Sequence, residues 1–100
     1  MNKLLGMMGL AKKAGQVSVG TEPCRDAMRA GKARLVIMAC DVSENTAKRI
    51  GDCCIHYKTE LVIPEDLTME TLSAAMGIKR LCSAVSINSA DFYKGVKSKL

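Results

Sequence analysis

The sequence predicts an α/β protein, a three-layer α/β/α sandwich built on one small four-stranded mixed sheet. Three observations carry that reading. Segments with strand-like patterning alternate along the chain with stretches whose apolar residues recur every three or four positions, in the order α-β-α-β-α-β-α-β-α. The longest apolar run, Leu35-Val36-Ile37-Met38-Ala39-Cys40, lacks the polar alternation of a half-exposed strand, so it belongs in the middle of a sheet with helices on both faces. The 100 residues, 48% hydrophobic and 25% charged, provide for one core and leave too little chain for a second. One domain over residues 1–100 is therefore expected.

In the first segment Leu4, Met8 and Ala11 stand at helical spacing from Leu4 to Lys13. Gly6 and Gly9 weaken that helix by about 1 kcal/mol each relative to Ala, so close packing against a neighbour is expected to account for them. Val17-Ser18-Val19 alternates as a short strand and stops at Gly20. Thr21 is expected to cap the next helix, with Glu22 and Pro23 in its first turn, Cys24, Ala27 and Met28 facing inward, and Gly31 as terminator. After the central strand, Ser43 caps a helix with Ala47, Ile50, Cys54 and Tyr57 on its apolar face and Lys48, Arg49 and Asp52 outward. Leu61-Val62-Ile63 reads as a third strand closed by Pro64. Met69, Leu72, Ala75 and Met76 mark a short helix ended by Gly77, and Leu81 to Ile87 reads as a fourth strand. Asn88, with Asp91 three residues on, is expected to open a last helix through Phe92 and Val96 to Leu100.

Composition excludes several function classes. No apolar run approaches the roughly 20 residues that a membrane-spanning helix needs. The opening Met1-Asn2-Lys3-Leu4-Leu5-Gly6 has no secretory pattern, so a cytoplasmic protein without a membrane partner is expected. Cys24, Cys40, Cys53, Cys54 and Cys82 are odd in number and mostly set in apolar stretches, the pattern of reduced thiols rather than a disulfide scaffold. Cys53, Cys54 and His56 lack the ligand spacing of a zinc site, and no cofactor is expected. His56 is the only histidine, no phosphate-binding Gly-rich loop is present and no carboxylates are paired by spacing, so the sequence does not read as an enzyme.

The chain carries 15 Lys and Arg against 10 Asp and Glu, a formal +5, which favours an anionic partner. Tyr57, Phe92 and Tyr93 are the only aromatics, too few for a surface that reads nucleic acid by stacking bases. Charge, backbone groups and loop shape remain. The turn from Gly20 to Cys24 is the best candidate: a glycine followed by a helix start presents N–H groups and the positive end of a dipole, as capped helix starts do in many α/β proteins. Lys12, Lys13, Arg29, Lys32 and Arg34 are candidates for one basic face, or for ordinary solvated surface.

The strings Leu10-Ala11-Lys12-Lys13-Ala14-Gly15, Val17 to Thr21 and Ala27-Met28-Arg29-Ala30-Gly31-Lys32-Ala33-Arg34-Leu35-Val36 resemble the kink-turn RNA-binding family of ribosomal proteins called L7Ae, nearest its small bacterial YlxQ-type branch. The likeness continues through Asp41 to Thr46, the helix ending at Tyr57, Ala75-Met76-Gly77 and Phe92 to Ser98, and so covers nearly the whole chain. It implies a monomeric, non-enzymatic α/β/α domain that binds structured RNA, ribosomal or kink-turn-like, in a setting that includes ribosomal proteins. It also implies an RNA site formed by Gly20, Thr21 and Glu22 with Arg29 and Lys32, completed by the loop of Ile78, Lys79 and Arg80. Asp26 stands where the family has a backbone-gripping lysine, and Pro23 lies inside the recognition turn. Those two departures leave open an alternative, a protein-interaction module that kept the fold without the kink-turn site.

Overall fold

Residues as apolar as Leu35–Met38 are stable only where both faces are covered, and the computed structural model, which describes residues 2–100, buries each of them. The elements run α1 (Asn2–Lys13), β1 (Val17–Val19), α2 (Thr21–Arg29), β2 (Leu35–Met38), α3 (Glu44–His56), β3 (Glu60–Val62), α4 (Met69–Met76), β4 (Ala84–Ile87) and α5 (Ala90–Lys97). The strands form one mixed sheet in the order β1-β4-β2-β3, with β2 parallel to β3 and antiparallel to β4, and β1 antiparallel to β4. The α/β class, the alternation and the mixed sheet are as expected from the sequence.

Strand alternation divides the core into two layers. Leu35, Ile37, Val85 and Ile87 face a cluster with Leu4, Met8 and Ala11 of α1, Leu72 and Met76 of α4 and Val96 of α5. Val36, Met38 and Ala84 face the other way, onto Cys24 and Met28 of α2 and Ile50 and Cys54 of α3. Gly95 lets α5 approach α1 closely: a Cβ there would lie 3.0 Å from Met7 Sδ. The expectation that Gly6 and Gly9 mark tight packing is corrected. A Cβ on Gly6 would meet nothing within 4 Å, and one on Gly9 would make an ordinary 3.7 Å contact with the Ala75 carbonyl.

Several boundaries differ from those expected. The N-cap of α2 is Gly20 and not Thr21, which is the first helical residue, and no side chain caps this helix. The third strand starts at Glu60 and ends before Ile63, which is 48% exposed. Glu60 enters an edge strand because its carboxylate accepts from Tyr93 Oη at 2.7 Å and pairs with Lys97 Nζ, both on α5. The fourth strand begins at Ala84 rather than Leu81. Before it, the Cys82 N–H donates to Ser73 Oγ of α4 at 2.8 Å, holding this stretch against a helix instead of in the ladder. Asn88 does not cap α5, whose N-cap is Ser89 and whose last residue is Lys97. Its side chain is occupied elsewhere, accepting from Ser86 Oγ at 2.8 Å and donating to Ser18 Oγ at 3.0 Å. The Ser43 cap of α3 forms as expected, accepting from the Thr46 N–H at 3.2 Å. Gly31 likewise ends α2, where the Gly31 N–H donates to Met28 and the Lys32 N–H to Ala27.

Ser86 is completely buried, so its hydroxyl depends on Asn88. Asn88→Ala is expected to destabilise the fold by about 1–3 kcal/mol, the cost of an unpaired buried hydroxyl. Ser86→Ala should cost less in the Asn88→Ala background than in the parent. Equal costs in urea unfolding would show that the pair is not coupled.

Candidate nucleic-acid interface

The site begins with a backbone conformation. Gly20 has φ 104° and ψ 164°, a region open in practice only to glycine, and this lets β1 turn directly into α2. The turn is tied to β4 by the Gly20 N–H, which donates to the Ala84 carbonyl at 2.9 Å, while the Gly20 carbonyl accepts the first helical bond from the Cys24 N–H at 3.1 Å. Because the cap has no side chain and Pro23 has no N–H, the amides of Thr21 and Glu22 are the orphan donors of the first turn. They carry the positive end of the helix dipole at the surface.

Across from them lies the stretch between α4 and β4. Gly77, in the left-handed region at φ 69°, ends α4 and sends the chain back toward the Gly20 turn. Between the two segments is a cleft of about 450 Å³ lined by Val19, Gly20, Thr21, Glu22 and Pro23 on one side and Ile78, Arg80, Leu81, Cys82 and Ser83 on the other. Arg80 brings a cation to the wall opposite the orphan amides, and Glu22 brings a carboxylate to the helix side. Leu81 is 63% exposed at the rim. A cleft with free N–H donors, one guanidinium, one acidic acceptor and an apolar lip can hold a phosphate and meet a base edge, and it contains no aromatic side chain to stack one.

Five of the eight residues singled out from the sequence line this cleft: Gly20, Thr21, Glu22, Ile78 and Arg80. The other three do not. Lys79 is exposed but is not part of the lining. Lys32 lies on a separate groove of about 760 Å³, together with Gly15, Ser18, Asp26 and Asn88. Arg29 sits at the end of α2 beside Tyr57, whose hydrogen-bonded hydroxyl holds the guanidinium more firmly protonated than usual. Leu81, Cys82 and Ser83 were missed as site residues because their apolar lettering reads as the start of a strand. Only the Ser73 bond to Cys82 shows that they form a loop wall.

Cys24, Cys54 and Cys82 are buried thiols. Cys24 is held in the core behind the turn, and burial pushes its thiol up to about 12. Burial also raises Cys54 to about 11, and raises Cys82. Among the described residues all five cysteines are free, and no three His, Cys, Asp or Glu side chains come together as a metal site.

A family model described as the ribosomal protein L7Ae/L30e/S12e/Gadd45 family matches residues 2–96, and the chain belongs to that family. The RNA-binding protein YlxQ of Bacillus subtilis (strain 168) is 38% identical over 52 residues, 52% of this chain and 52% of that protein. YlxQ of Enterococcus faecium is 38% identical over 56 residues, 56% of this chain and 54% of that one. The chain thus spans about half the length of the curated relatives it matches. A solved structure of a protein with unknown function from Bacillus halodurans C superposes with TM-score 0.86 at 26% identity, covering 98% of this chain and 96% of that one. The Giardia lamblia 15.5kD RNA binding protein, at 18% identity and TM-score 0.78, covers 97% of this chain and 81% of its own, and shows the same fold.

The raised thiols set a pH dependence. Cys24 stays protonated in the folded chain while an unfolded thiol ionises near pH 9, so the stability it confers is complete below pH 9 and is lost as pH rises toward 12. Urea midpoints are expected to fall by an equivalent of about 1.4 kcal/mol per pH unit for this one group above pH 9, and Cys24→Ala should flatten the fall. A profile identical in parent and variant would contradict the assignment.

Proposed function

We propose that this chain is a single-domain, non-enzymatic RNA-binding protein that grips structured RNA in the cleft between the Gly20 turn and the Ile78–Ser83 loop. The observation that carries the reading is the meeting, in one cleft, of the uncapped start of α2 with Arg80 from a segment some sixty residues away. Family membership and the RNA-binding names of its relatives support it. The RNA is of the sharply bent, kink-turn class, ribosomal in origin. The bent backbone places a phosphate on the Thr21 and Glu22 amides, Glu22 accepts from a base edge, and Arg80 neutralises the strand on the other side. Ribosomal proteins would be its neighbours on such an RNA, and the chain acts as a monomer in the cytoplasm. No helix among the described residues is long and apolar enough to cross a membrane.

Asp26, where the family has a lysine, faces the groove with Lys32, and Pro23 forms the ridge that borders both groove and cleft. The carboxylate is therefore set beside the RNA path rather than in it, lowering affinity by repulsion without closing the cleft.

Gel-shift titration of ribosomal RNA fragments with and without a kink-turn tests the reading. The kink-turn fragment is expected to bind more tightly, and equal weak binding of both would overturn the claim of a shaped site. Arg80→Ala is expected to lower the log–log salt slope by about one unit and to weaken every RNA, whereas Lys79→Ala should change the slope by less. A larger effect at Lys79 would contradict the cleft geometry. Asp26→Lys should strengthen binding several-fold, most of all to the kink-turn. No change in any RNA would mean that this position lies too far from the backbone to matter.

A further inference from the structure

The wall of Thr21 and Glu22 has a second side. Behind it, between α2 and α3, lies a smaller pocket of about 130 Å³ lined by Thr21, Glu22, Arg25, Arg49 and Cys53. The sequence spacing explains why these residues meet. Thr21, Arg25 and Arg29 recur every four residues along one side of α2, and Arg49, Cys53 and Tyr57 do the same on α3, so two packed helices bring the rows together. Arg29 beside Tyr57 is the far end of the same seam. Three guanidinium groups thus follow one another along it, against the carboxylates of Glu22 at its upper end and Asp26, which acts on Arg29.

Neither Arg25 nor Arg49 forms an ion pair among the described residues. The one ion pair among the described residues joins Lys97 to Glu60, in the opposite helical layer. Arg25 Nε is buried and has no hydrogen-bond partner, an orphaned donor of a charged group beside a pocket with a second arginine. Two arginines lining one pocket, one of them with a buried donor unmet, suit an anion, and a planar guanidinium matches the oxygens of a phosphate.

We propose that the Arg25–Arg49 pocket is a phosphate-binding site that extends the RNA path beyond the cleft, along the seam between α2 and α3. The inference rests on the RNA reading of the cleft and adds to it a direction. The strand that meets the Thr21 and Glu22 amides continues down α2, with one backbone phosphate bridging Arg25 and Arg49. On that path Arg29, at the end of α2, is the following contact.

Arg49 is exposed, so Arg49→Gln should leave the thermal unfolding midpoint unchanged, and this variant carries the test. With a fluorescent kink-turn RNA, fluorescence anisotropy is expected to show a three- to ten-fold loss of affinity and a salt slope lower by about one unit. Single methylphosphonate substitutions along the RNA should reveal one phosphate whose neutralisation weakens the parent but not the Arg49→Gln variant. Arg80→Ala, measured in parallel, separates the two readings. If Arg80→Ala weakens binding and Arg49→Gln leaves affinity and slope unchanged, the seam is not part of the path and the cleft reading stands. If neither variant changes binding, or the parent binds no RNA, both readings fail.

Discussion

Strands β2 and β4 lie side by side in the sheet with every residue from Leu35 to Met38 and from Ala84 to Ile87 buried, so each has to be covered twice. A fully buried aliphatic side chain contributes about 1.5–3 kcal/mol, and the two strands carry Leu35, Val36, Ile37, Val85 and Ile87 at zero exposure. That requirement places α1, α4 and α5 on one face and α2 with α3 on the other. It also fixes where the chain reverses. The connection from β1 into α2 and the connection from α4 into β4 both arrive at the same end of β4, because the Gly20 N–H is bound to Ala84. The cleft is a consequence of covering a buried sheet, and its functional groups occupy positions that the core has already fixed.

Within that frame the site depends on backbone rather than on side-chain chemistry. Gly20 adopts a conformation that excludes other residues, the cap it provides has no side chain, and Pro23 removes one of the amides next to it. What remains is a pair of oriented N–H groups on a rigid element, with Arg80 facing them. Such an arrangement favours anionic backbone of a particular shape and does little to discriminate one base from another, which suits a chain with so few aromatics. Arg25 and Arg49 line a pocket that shares Thr21 and Glu22 with the cleft.

Much of this is legible in the sequence. The two-sided burial of Leu35–Met38 follows from its lack of alternation, the inward faces of α2 and α3 follow from the spacing of Cys24, Ala27 and Met28 and of Ile50 and Cys54, and Gly20 announces the turn. What escaped depends on side-chain hydrogen bonds that the hydrophobic pattern does not show. Asn88 looks like a helix cap until Ser18 and Ser86 are known to flank it, and Leu81–Ser83 look like strand until Ser73 is seen to bind Cys82. The basic residues divide in the same way. Lys32 and Lys79 are near the site in sequence and outside the cleft in space, whereas Arg49 is distant in sequence and adjoins it.

The central claim is that the start of α2 and the loop before β4 form one RNA-binding surface. Amide chemical-shift mapping of the isotopically labelled chain, titrated with a kink-turn RNA, tests it residue by residue. The account predicts that the largest perturbations fall on Gly20, Thr21 and Glu22 together with Ile78 to Ser83, with smaller ones along α2 toward Arg29. Perturbations concentrated instead on the apolar groove of Leu4, Val62, Ile63 and Leu100, with the Gly20 turn unaffected, would contradict it.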